Sequence, residues 1–270
     1  MILDYITWAV EPELFKLGPL SVRWYGLLWA VGIWLALMIV QKLYKNENLP
    51  ENWLDKLFVY AVLGTIIGAR IGHCLFYDPE YYLANPIEIL YIWHGGLASH
   101  GGAFGIMAAM YLYNKNVTKK GYIWTFDRLV IGVAIAGASI RLGNLMNSEI
   151  YGDVTTMPWG FIFVNDPHGD GLPHHPTQIY EILYCLVAFA LTWWLYWKKQ
   201  AYKRTGLIFG TFLIIVFLTR FLLEFIKLNQ EEFEASMILN MGQILSLPFI
   251  IWGIWLVYRS FKSKPVSELK

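Results

Sequence analysis

Residues 206–227 read GLIFGTFLIIVFLTRFLLEFIK, an apolar run that is interrupted by Arg220 and Glu224. A helix of about 20 apolar residues is long enough to cross the hydrocarbon core of a bilayer. The composition agrees, since 57% of the 270 residues are hydrophobic and only 15% are charged. The sequence therefore predicts an integral membrane protein.

Further apolar segments of similar length occur along the chain, and together they predict an all-α fold of about seven transmembrane helices in a single domain, residues 1–270. The predicted spans are residues 22–43, 55–76, 88–113, 123–143, 178–197, 206–227 and 238–258. Two glycine pairs, Gly95–Gly96 and Gly101–Gly102, lie in the third span and predict that it is broken or re-entrant. Such backbone is tolerated only where protein or water satisfies it.

Basic residues lie in alternate connections. The connections at residues 77–87, 144–177 and 228–237 contain no Lys or Arg, whereas the connections between them are basic. Because short cytoplasmic loops carry the excess of Lys and Arg, we expect the N-terminus outside and the C-terminus in the cytoplasm. The long 144–177 connection, rich in Gly, Pro, Asp and His, is then expected to form an extracytoplasmic loop or cap.

Three arginines, Arg70, Arg141 and Arg220, lie inside predicted spans two, four and six. With this topology all three lie in the outer part of the membrane, at one depth. A charge near the bilayer centre costs roughly 2.5–3.5 kcal/mol or more and usually faces a cavity or a partner. The sequence therefore predicts a site for an anionic group, open to the outer leaflet.

The segment RLGNLMNSE, residues 141–149, ends the fourth span. Helical spacing puts Arg141 and Asn144 on one face. A guanidinium offers paired donors to a phosphate, and a carboxamide adds neutral donors. The alternative is that these residues only snorkel and cap the end of the span.

Arg220 and Glu224 have the i, i+4 spacing of an intrahelical ion pair, which lowers the cost of both charges in the membrane. Two functional roles are open: Arg220 binds phosphate, or Glu224 orients a catalytic group. The alternative to both is an ion pair that only stabilises helix packing. The segment HGGLASHGG, residues 94–102, offers His100 as a general base, with His94 as a weaker candidate.

Other polar positions are less decisive. The glycines of GARIG, residues 68–72, are typical of helix packing, whereas Arg70 is a candidate for function. In HHPTQIYE, residues 174–181, adjacent histidines point in different directions, so we expect no metal site there. Tyr180 and Glu181 either face the site or anchor the span at the interface. We expect Cys74 and Cys185 to be buried apolar residues that the reaction does not need.

These motifs, taken together and in chain order, resemble the prolipoprotein diacylglyceryl transferase family of bacterial inner membranes. The matching segments are residues 23–26, 68–72, 94–102, 141–149, 175–181, 220–224 and 241–243. The resemblance implies a polytopic helical enzyme whose active site opens to the outer leaflet. It also implies transfer of diacylglycerol from phosphatidylglycerol to the lipobox cysteine thiol of a preprolipoprotein, with release of glycerol phosphate.

The resemblance also implies site residues by position. The family's essential polar residues correspond here to Tyr25, His100, Arg141, Asn144, Glu149, Arg220 and Glu224. We take His100, Arg141, Arg220 and Glu224 as catalytic candidates. Substrate-binding candidates are Tyr25, Arg70, Asn144, Asn147 and Glu149, together with Arg141. Two positions depart from the family: Val216 replaces a tyrosine of some members, and Lys227 replaces an arginine of many.

The working hypothesis is that His100 accepts or relays the thiol proton while Arg141 and Arg220 bind the phosphodiester. The alternative is that the arginine-rich surroundings favour the thiolate without a base. Glu149 and Glu224 would hold the arginines or the histidine in place. The expected partners are phosphatidylglycerol, the lipobox segment and membrane lipid, with no nucleic acid, no metal and no soluble cofactor. The alternative is a transporter or channel for an anionic solute or lipid. Against it, the polar residues cluster in the outer half of the spans and no internal repeat is visible.

Overall fold

A computed structural model describes residues 5–18, 20–91, 96, 98–227 and 237–263. The side chains of Leu17, Leu20, Ser99 and His100 lie outside that description. Two compact units are present: unit 1 contains Met1–Val40 and Phe126–Lys270, and unit 2 contains Gln41–Thr125.

The described residues are mostly helical, which confirms the predicted fold class. The α-helices are Trp24–Asn46 (α1), Asn52–Phe76 (α2), Pro79–Ala84 (α3), Ser99–Tyr113 (α4), Tyr122–Met146 (α5), Thr177–Lys199 (α6), Leu207–Leu223 (α7) and Met241–Lys262 (α8). Short 3-10 turns occur at Pro86–Leu90, Ala201–Lys203 and Glu224–Ile226, and a π-turn occurs at Asn114–Thr118. The strands are Ile6–Trp8 (β1), Glu13–Leu17 (β2), Leu20–Arg23 (β3) and Phe161–Phe163 (β4).

Six helices of the described chain are long and apolar enough to cross a membrane: α1, α2, α5, α6, α8 and the segment Leu207–Ile226 that contains α7. They coincide within a few residues with six predicted spans, so the protein is a multi-pass membrane protein. Their surfaces carry large apolar side chains that a soluble protein would bury, including Trp34 and Ile251, which are 58% and 66% exposed.

The predicted third span, residues 88–113, is different. Its helical part, α4, has 15 residues, or roughly 22 Å of helix, which is shorter than the ~30 Å hydrocarbon core. Residues 92–95 and 97 lie outside the description. A count of seven spans and the orientation of the termini therefore stay predictions.

Helices α2 and α4 of unit 2 pack through glycines. A Cβ atom on Gly68 would lie 2.4 Å from the carbonyl oxygen of Gly101, and one on Gly105 would lie 2.0 Å from that of Gly64. The packing role predicted for Gly68 is confirmed. The predicted break at Gly101–Gly102 is wrong, because both glycines lie within α4. They let two backbones approach, as small residues do between membrane helices.

In unit 1 a carboxylate from α5 caps the start of α7. The two Asp127 oxygens accept the backbone N–H groups of Gly206 and Phe209 at 2.7 and 2.8 Å. These N–H groups have no partner within their own helix, and a negative charge suits the positive end of a helix dipole. The contact fixes α7, which carries Arg220, against α5, which carries Arg141. Cys185 of α6 and Cys74 of α2 are both buried, as predicted.

The 144–177 connection is a folded segment. Its strand β4 pairs in parallel with β1, with Thr7 opposite Ile162. Phe161 and Phe163 pack with Leu145 at the end of α5, and the indole N–H of Trp8 donates to the Leu145 carbonyl at 2.9 Å. The segment is thereby tied to the end of the helix that carries Arg141.

Candidate active site

Arg141 and Asn144 stand side by side on the last turns of α5. The Nη1 of Arg141 donates to Asn144 Oδ1 at 3.2 Å, as the i, i+3 spacing predicts. The Arg141 side chain keeps 24% of its surface exposed, whereas Asn144 is buried. The guanidinium therefore reaches an accessible space while the amide beneath it fixes its position.

Glu149 receives two amide groups from the same helix end. One carboxylate oxygen, Oε1, accepts from Asn144 Nδ2 at 2.7 Å and from Asn147 Nδ2 at 3.3 Å. Asn144 therefore bridges Arg141 and Glu149, accepting from the first and donating to the second. Three of the residues predicted to bind substrate thus form one hydrogen-bonded cluster with Arg141.

A strained turn brings Glu149 back to the helix. Ser148 and Ile150 have φ angles of 55° and 61°, and a left-handed conformation is rare for a β-branched residue. Long-range bonds hold the turn: Gln178 Nε2 donates to the Glu149 carbonyl at 2.8 Å, and Thr177 Oγ1 to the Ile150 carbonyl at 3.0 Å. Strain that the surrounding structure maintains in this way is common at functional sites.

Three buried oxygen atoms next to this turn have no hydrogen-bond partner within the described part of the chain. They are Asn147 Oδ1, Ser148 Oγ and Gln178 Oε1. A buried polar atom without a partner costs roughly 1–3 kcal/mol, so native proteins contain few of them. Their concentration around Glu149 is typical of a site that a ligand or water completes.

The counter-ion of Arg141 is Glu181, on the first turns of α6. Arg141 Nε lies 2.7 Å from Glu181 Oε2, and Lys227 Nζ lies 3.2 Å from Glu181 Oε1. Glu149 and Glu224 were expected to hold the arginines or the histidine; Glu224 does pair with Arg220, whereas Arg141 pairs with Glu181, and Glu149 accepts from two amides instead. Glu181 is buried, which excludes interfacial anchoring. Its position inside a predicted span was the signal in the sequence, as it was for the arginines.

Arg220 and Glu224 form the predicted ion pair at the end of α7, with Nε and Oε1 separated by 3.6 Å. The Arg220 side chain is 40% exposed and that of Glu224 is 8% exposed. The start of α8 holds the carboxylate, because Asn240 Nδ2 donates to Glu224 Oε2 at 3.2 Å. Gly242 lies so close that a Cβ atom there would be 2.5 Å from Glu224 Cδ. The sequence did not predict this support.

Tyr184 lies one turn after Glu181 on α6. Its hydroxyl interacts electrostatically with the Glu181 carboxylate and with the guanidinium groups of both Arg141 and Arg220. Sequence reasoning missed Tyr184, since a tyrosine in an apolar span has no distinctive pattern. Its i, i+3 spacing from Glu181 puts both residues on one face of α6.

Tyr25, the second residue of α1, packs against the same end of α5. A Cβ atom on Gly143 would lie 2.9 Å from Tyr25 Cδ2, so the absence of a side chain at 143 lets the ring pack directly against the α5 backbone. Tyr25 therefore lies next to the helix segment that carries Arg141 and Asn144.

Arg70 belongs to unit 2, where backbone carbonyls bind its guanidinium. Its Nη2, Nε and Nη1 donate to the carbonyls of Glu88, Ile89 and Gly96 at 2.5, 2.9 and 3.2 Å. Arg70 is 3% exposed, and its guanidinium lies over the Tyr82 ring. These contacts favour anchoring of Glu88, Ile89 and Gly96 over direct contact with substrate.

The candidate bases are only partly described. His100 lies in the first turn of α4, with its side chain outside the description, and His94 lies outside the described residues. Sequence reasoning did not single out His73, whose ring atoms would lie 2.5 Å from a Cβ on Gly96.

His175 is a half-buried histidine in the 144–177 segment. Its Nδ1 lies 3.2 Å from the Tyr180 hydroxyl, which itself accepts from the indole N–H of Trp159 at 2.8 Å. The Tyr180 hydroxyl can therefore donate its own proton to His175 Nδ1. Burial lowers the pKa of His175 below its usual 6.5, against the opposing effect of Asp153.

Comparison with known proteins places the chain in a family. The family profile of prolipoprotein diacylglyceryl transferases matches residues 12–259. A phosphatidylglycerol–prolipoprotein diacylglyceryl transferase of Porphyromonas gingivalis is 50% identical over an alignment of 276 positions, which covers 98% of this chain and 97% of that protein. Proteins of the same name from Chloroherpeton thalassium and Tolumonas auensis are 44% and 45% identical, covering 98% and 95% of this chain and 98% of each relative. Because the matches extend over nearly the whole length of both partners, the chain belongs to the prolipoprotein diacylglyceryl transferase family.

Proposed function

We propose that this protein transfers the diacylglyceryl group of phosphatidylglycerol to the lipobox cysteine thiol of a preprolipoprotein, releasing glycerol phosphate. This is the first step of bacterial lipoprotein maturation. The observation that carries the proposal is the cluster of Arg141, Asn144, Glu149 and Glu181 at the end of a membrane-spanning helix. Family membership supports it, since relatives named for this reaction match nearly the whole chain.

The two arginines are suited to the phosphodiester. Arg141 uses two of its three nitrogen atoms among the described residues: Nε contacts Glu181 and Nη1 donates to Asn144. Its Nη2 makes no hydrogen bond to a described residue. Arg220 is more exposed and lies near the same tyrosine hydroxyl. Guanidinium groups bind phosphate oxygens through charge-assisted hydrogen bonds. They would also stabilise the negative charge that develops on the leaving phosphate as the glyceryl C–O bond breaks.

The incoming group is a thiolate. A cysteine thiol has a pKa of about 8.5, and neighbouring positive charge favours its ionised form. The sulfur would attack the glyceryl carbon that carries the phosphate, forming a C–S bond as glycerol phosphate departs. We propose His100 as the acceptor of the thiol proton, on the family resemblance of the residues around it.

The remaining polar residues would orient these groups. Asn144 and Asn147, held by Glu149, would present amide groups to the head group, and Tyr25 would add a hydroxyl beside them. Glu224, fixed by the start of α8, would orient Arg220.

The membrane setting follows from the same proposal. We place the protein in the bacterial inner membrane as a single domain, with the site open to the outer leaflet and the 144–177 segment as an extracytoplasmic cap. The alternation of basic loops supports this orientation. Both substrates, the phospholipid and the membrane-anchored lipobox segment, would then reach the site from the same side.

The test uses purified protein in detergent, labelled phosphatidylglycerol and a short peptide with a lipobox cysteine. Wild type should transfer diacylglycerol to the thiol, and Arg141→Ala should lose roughly 100-fold or more of that rate. Arg259→Ala is the matched control, because Arg259 is exposed near the end of α8. No transfer by folded wild type would contradict the proposal and favour a transporter of anionic lipids or solutes.

A further inference from the structure

A buried carboxylate is shared between two cations at the candidate site. Glu181 Oε2 lies 2.7 Å from Arg141 Nε, and Oε1 lies 3.2 Å from Lys227 Nζ. The side chains of Glu181 and Lys227 are 3% and 5% exposed, whereas that of Arg141 is 24% exposed. Arg141 is therefore the only member of this triad that reaches an accessible space.

Lys227 is held in place by its backbone as well as by its charge. It forms an antiparallel bridge with Gly152, and the preceding carbonyl, that of Ile226, accepts the Asp153 N–H at 2.9 Å. These contacts tie the end of the α7 segment to the 144–177 connection. The ammonium is thus kept at Glu181, and it donates to Oε1 there.

The two contacts of Glu181 differ in kind. Lys227 makes a hydrogen bond to Oε1, whereas Oε2 has no hydrogen bond of good geometry within the described residues. Arg141 is therefore held by charge and proximity rather than by an aligned bond. Among the described residues, no hydrogen bond uses its Nη2 or the second proton of its Nη1.

The net charge of Arg141, Glu181 and Lys227 together determines how strongly Arg141 attracts an anionic ligand. Two cations and one carboxylate leave a net charge of +1 on the triad, and that excess lies on its accessible member. Without Lys227, Glu181 and Arg141 would neutralise each other, and this pair would offer an anionic phosphodiester no net attraction. The Lys227 ammonium contacts one oxygen of the Glu181 carboxylate and Arg141 lies at the other.

We infer that Lys227 is a positioning residue that neutralises Glu181 and so leaves the charge of Arg141 uncompensated for the phosphodiester of the lipid substrate. The inference rests on the proposed function and extends it to Lys227, which sequence reasoning noted only as a departure from the family, and to Glu181, which it left between the site and the interface. It predicts that affinity for phosphatidylglycerol follows the net charge of the triad.

The test is a charge cycle at positions 181 and 227. Lys227→Met makes the triad neutral, Glu181→Gln makes it +2, and the double variant Lys227→Met/Glu181→Gln restores +1. Lys227→Met should raise KM for phosphatidylglycerol by about tenfold or more, the size expected for one hydrogen bond to a charged group, with a smaller effect on kcat. Lys227→Arg should stay within about threefold of the wild-type KM, because it keeps the charge.

The double variant separates charge from structure. If the inference holds, it binds phosphatidylglycerol more tightly than Lys227→Met, although one more native charge has been removed. A purely structural role predicts a KM at least as high as that of Lys227→Met, and this result would overturn the inference. Removing both members of a buried pair is usually tolerated, so the double variant remains informative if Lys227→Met fails to fold.

The experiment also separates this inference from the proposed function. If wild type is folded and inactive, the proposed function fails first. If wild type is active and Arg141→Ala is not, while Lys227→Met keeps the wild-type KM, the function stands and the inference is rejected. Phosphatidylglycerol binding by native mass spectrometry, with phosphatidylcholine as the zwitterionic control lipid of zero net charge, checks the KM values without turnover.

Discussion

Asn144 connects two charged residues of the candidate site. Its amide oxygen accepts from Arg141 and its amide nitrogen donates to Glu149. An aspartate in its place keeps an acceptor for Arg141 but loses the donor, and it sets a second carboxylate against Glu149.

We expect Asn144→Asp to lower transfer activity by roughly 100-fold, and by more than Asn144→Ala, because like charges in a poorly solvated site repel strongly. The peptide-transfer assay measures both variants. Asn116→Ala, which removes an exposed amide, serves as the control. Activity of Asn144→Asp above that of Asn144→Ala would show that the donor to Glu149 is dispensable.

Because Gly242 has no side chain, the carboxylate of Glu224 can pack directly against its backbone. A methyl group there would lie 2.5 Å from the carboxylate carbon of Glu224. We expect Gly242→Ala to displace that carboxylate and lower activity about tenfold or more, with little change in folding. Gly26→Ala is the matched control, because Gly26 has nothing within 4 Å of the added atom. Equal activity of the two variants would argue against a role for the Glu224 position.

Among the structural elements, the 144–177 segment contains both the strained turn at Ser148 and Ile150 and several titratable side chains. Tyr151 donates to Asp166 and stacks on Phe163, and His174 bonds both the Gly152 carbonyl and Asp170. The bond with His174 holds the pKa of Asp170 below its usual 3.8. This network keeps the segment folded against α5.

The pH dependence of the segment follows from His175. Because burial lowers the pKa of His175 in the folded state, the unfolded chain binds the proton more tightly, and stability falls as pH drops below about 6.5. Asp170 adds a further loss at lower pH, as its carboxylate becomes protonated. We expect the thermal midpoint of wild type in detergent to fall between pH 7.5 and 5.5, and the midpoint of His175→Gln to fall less. Identical pH profiles would rule out His175 as the titrating group.

At the scale of the whole molecule, lipid contact and loop charge determine how the chain lies in the bilayer. The apolar surfaces of the spanning helices would face lipid, and the basic connections would face the cytoplasm. We expect a fluorescent protein fused after residue 270 to fluoresce in cells and an alkaline phosphatase at the same place to be inactive. The opposite pattern would reverse the orientation and move the candidate site away from the outer leaflet.

Local spacing in the sequence predicted much of the fold and part of the site. Six spans agree within a few residues, because a run of apolar residues is sufficient to specify a membrane helix. The pairs Arg141–Asn144 and Arg220–Glu224 were also predictable, since residues three or four apart on a helix are neighbours whatever the rest of the chain does.

The tertiary structure decided which distant residues complete these pairs. Glu181 holds Arg141 and meets Lys227, Gly242 lies under Glu224, and the strained turn at Ile150 is fixed by Thr177. No spacing rule connects residues on different helices, because their contact depends on which helix faces pack together. Local sequence patterns were enough to predict a membrane protein with a candidate anion site; the packing of α5, α6, α7 and α8 determined which carboxylates pair with Arg141 and Arg220.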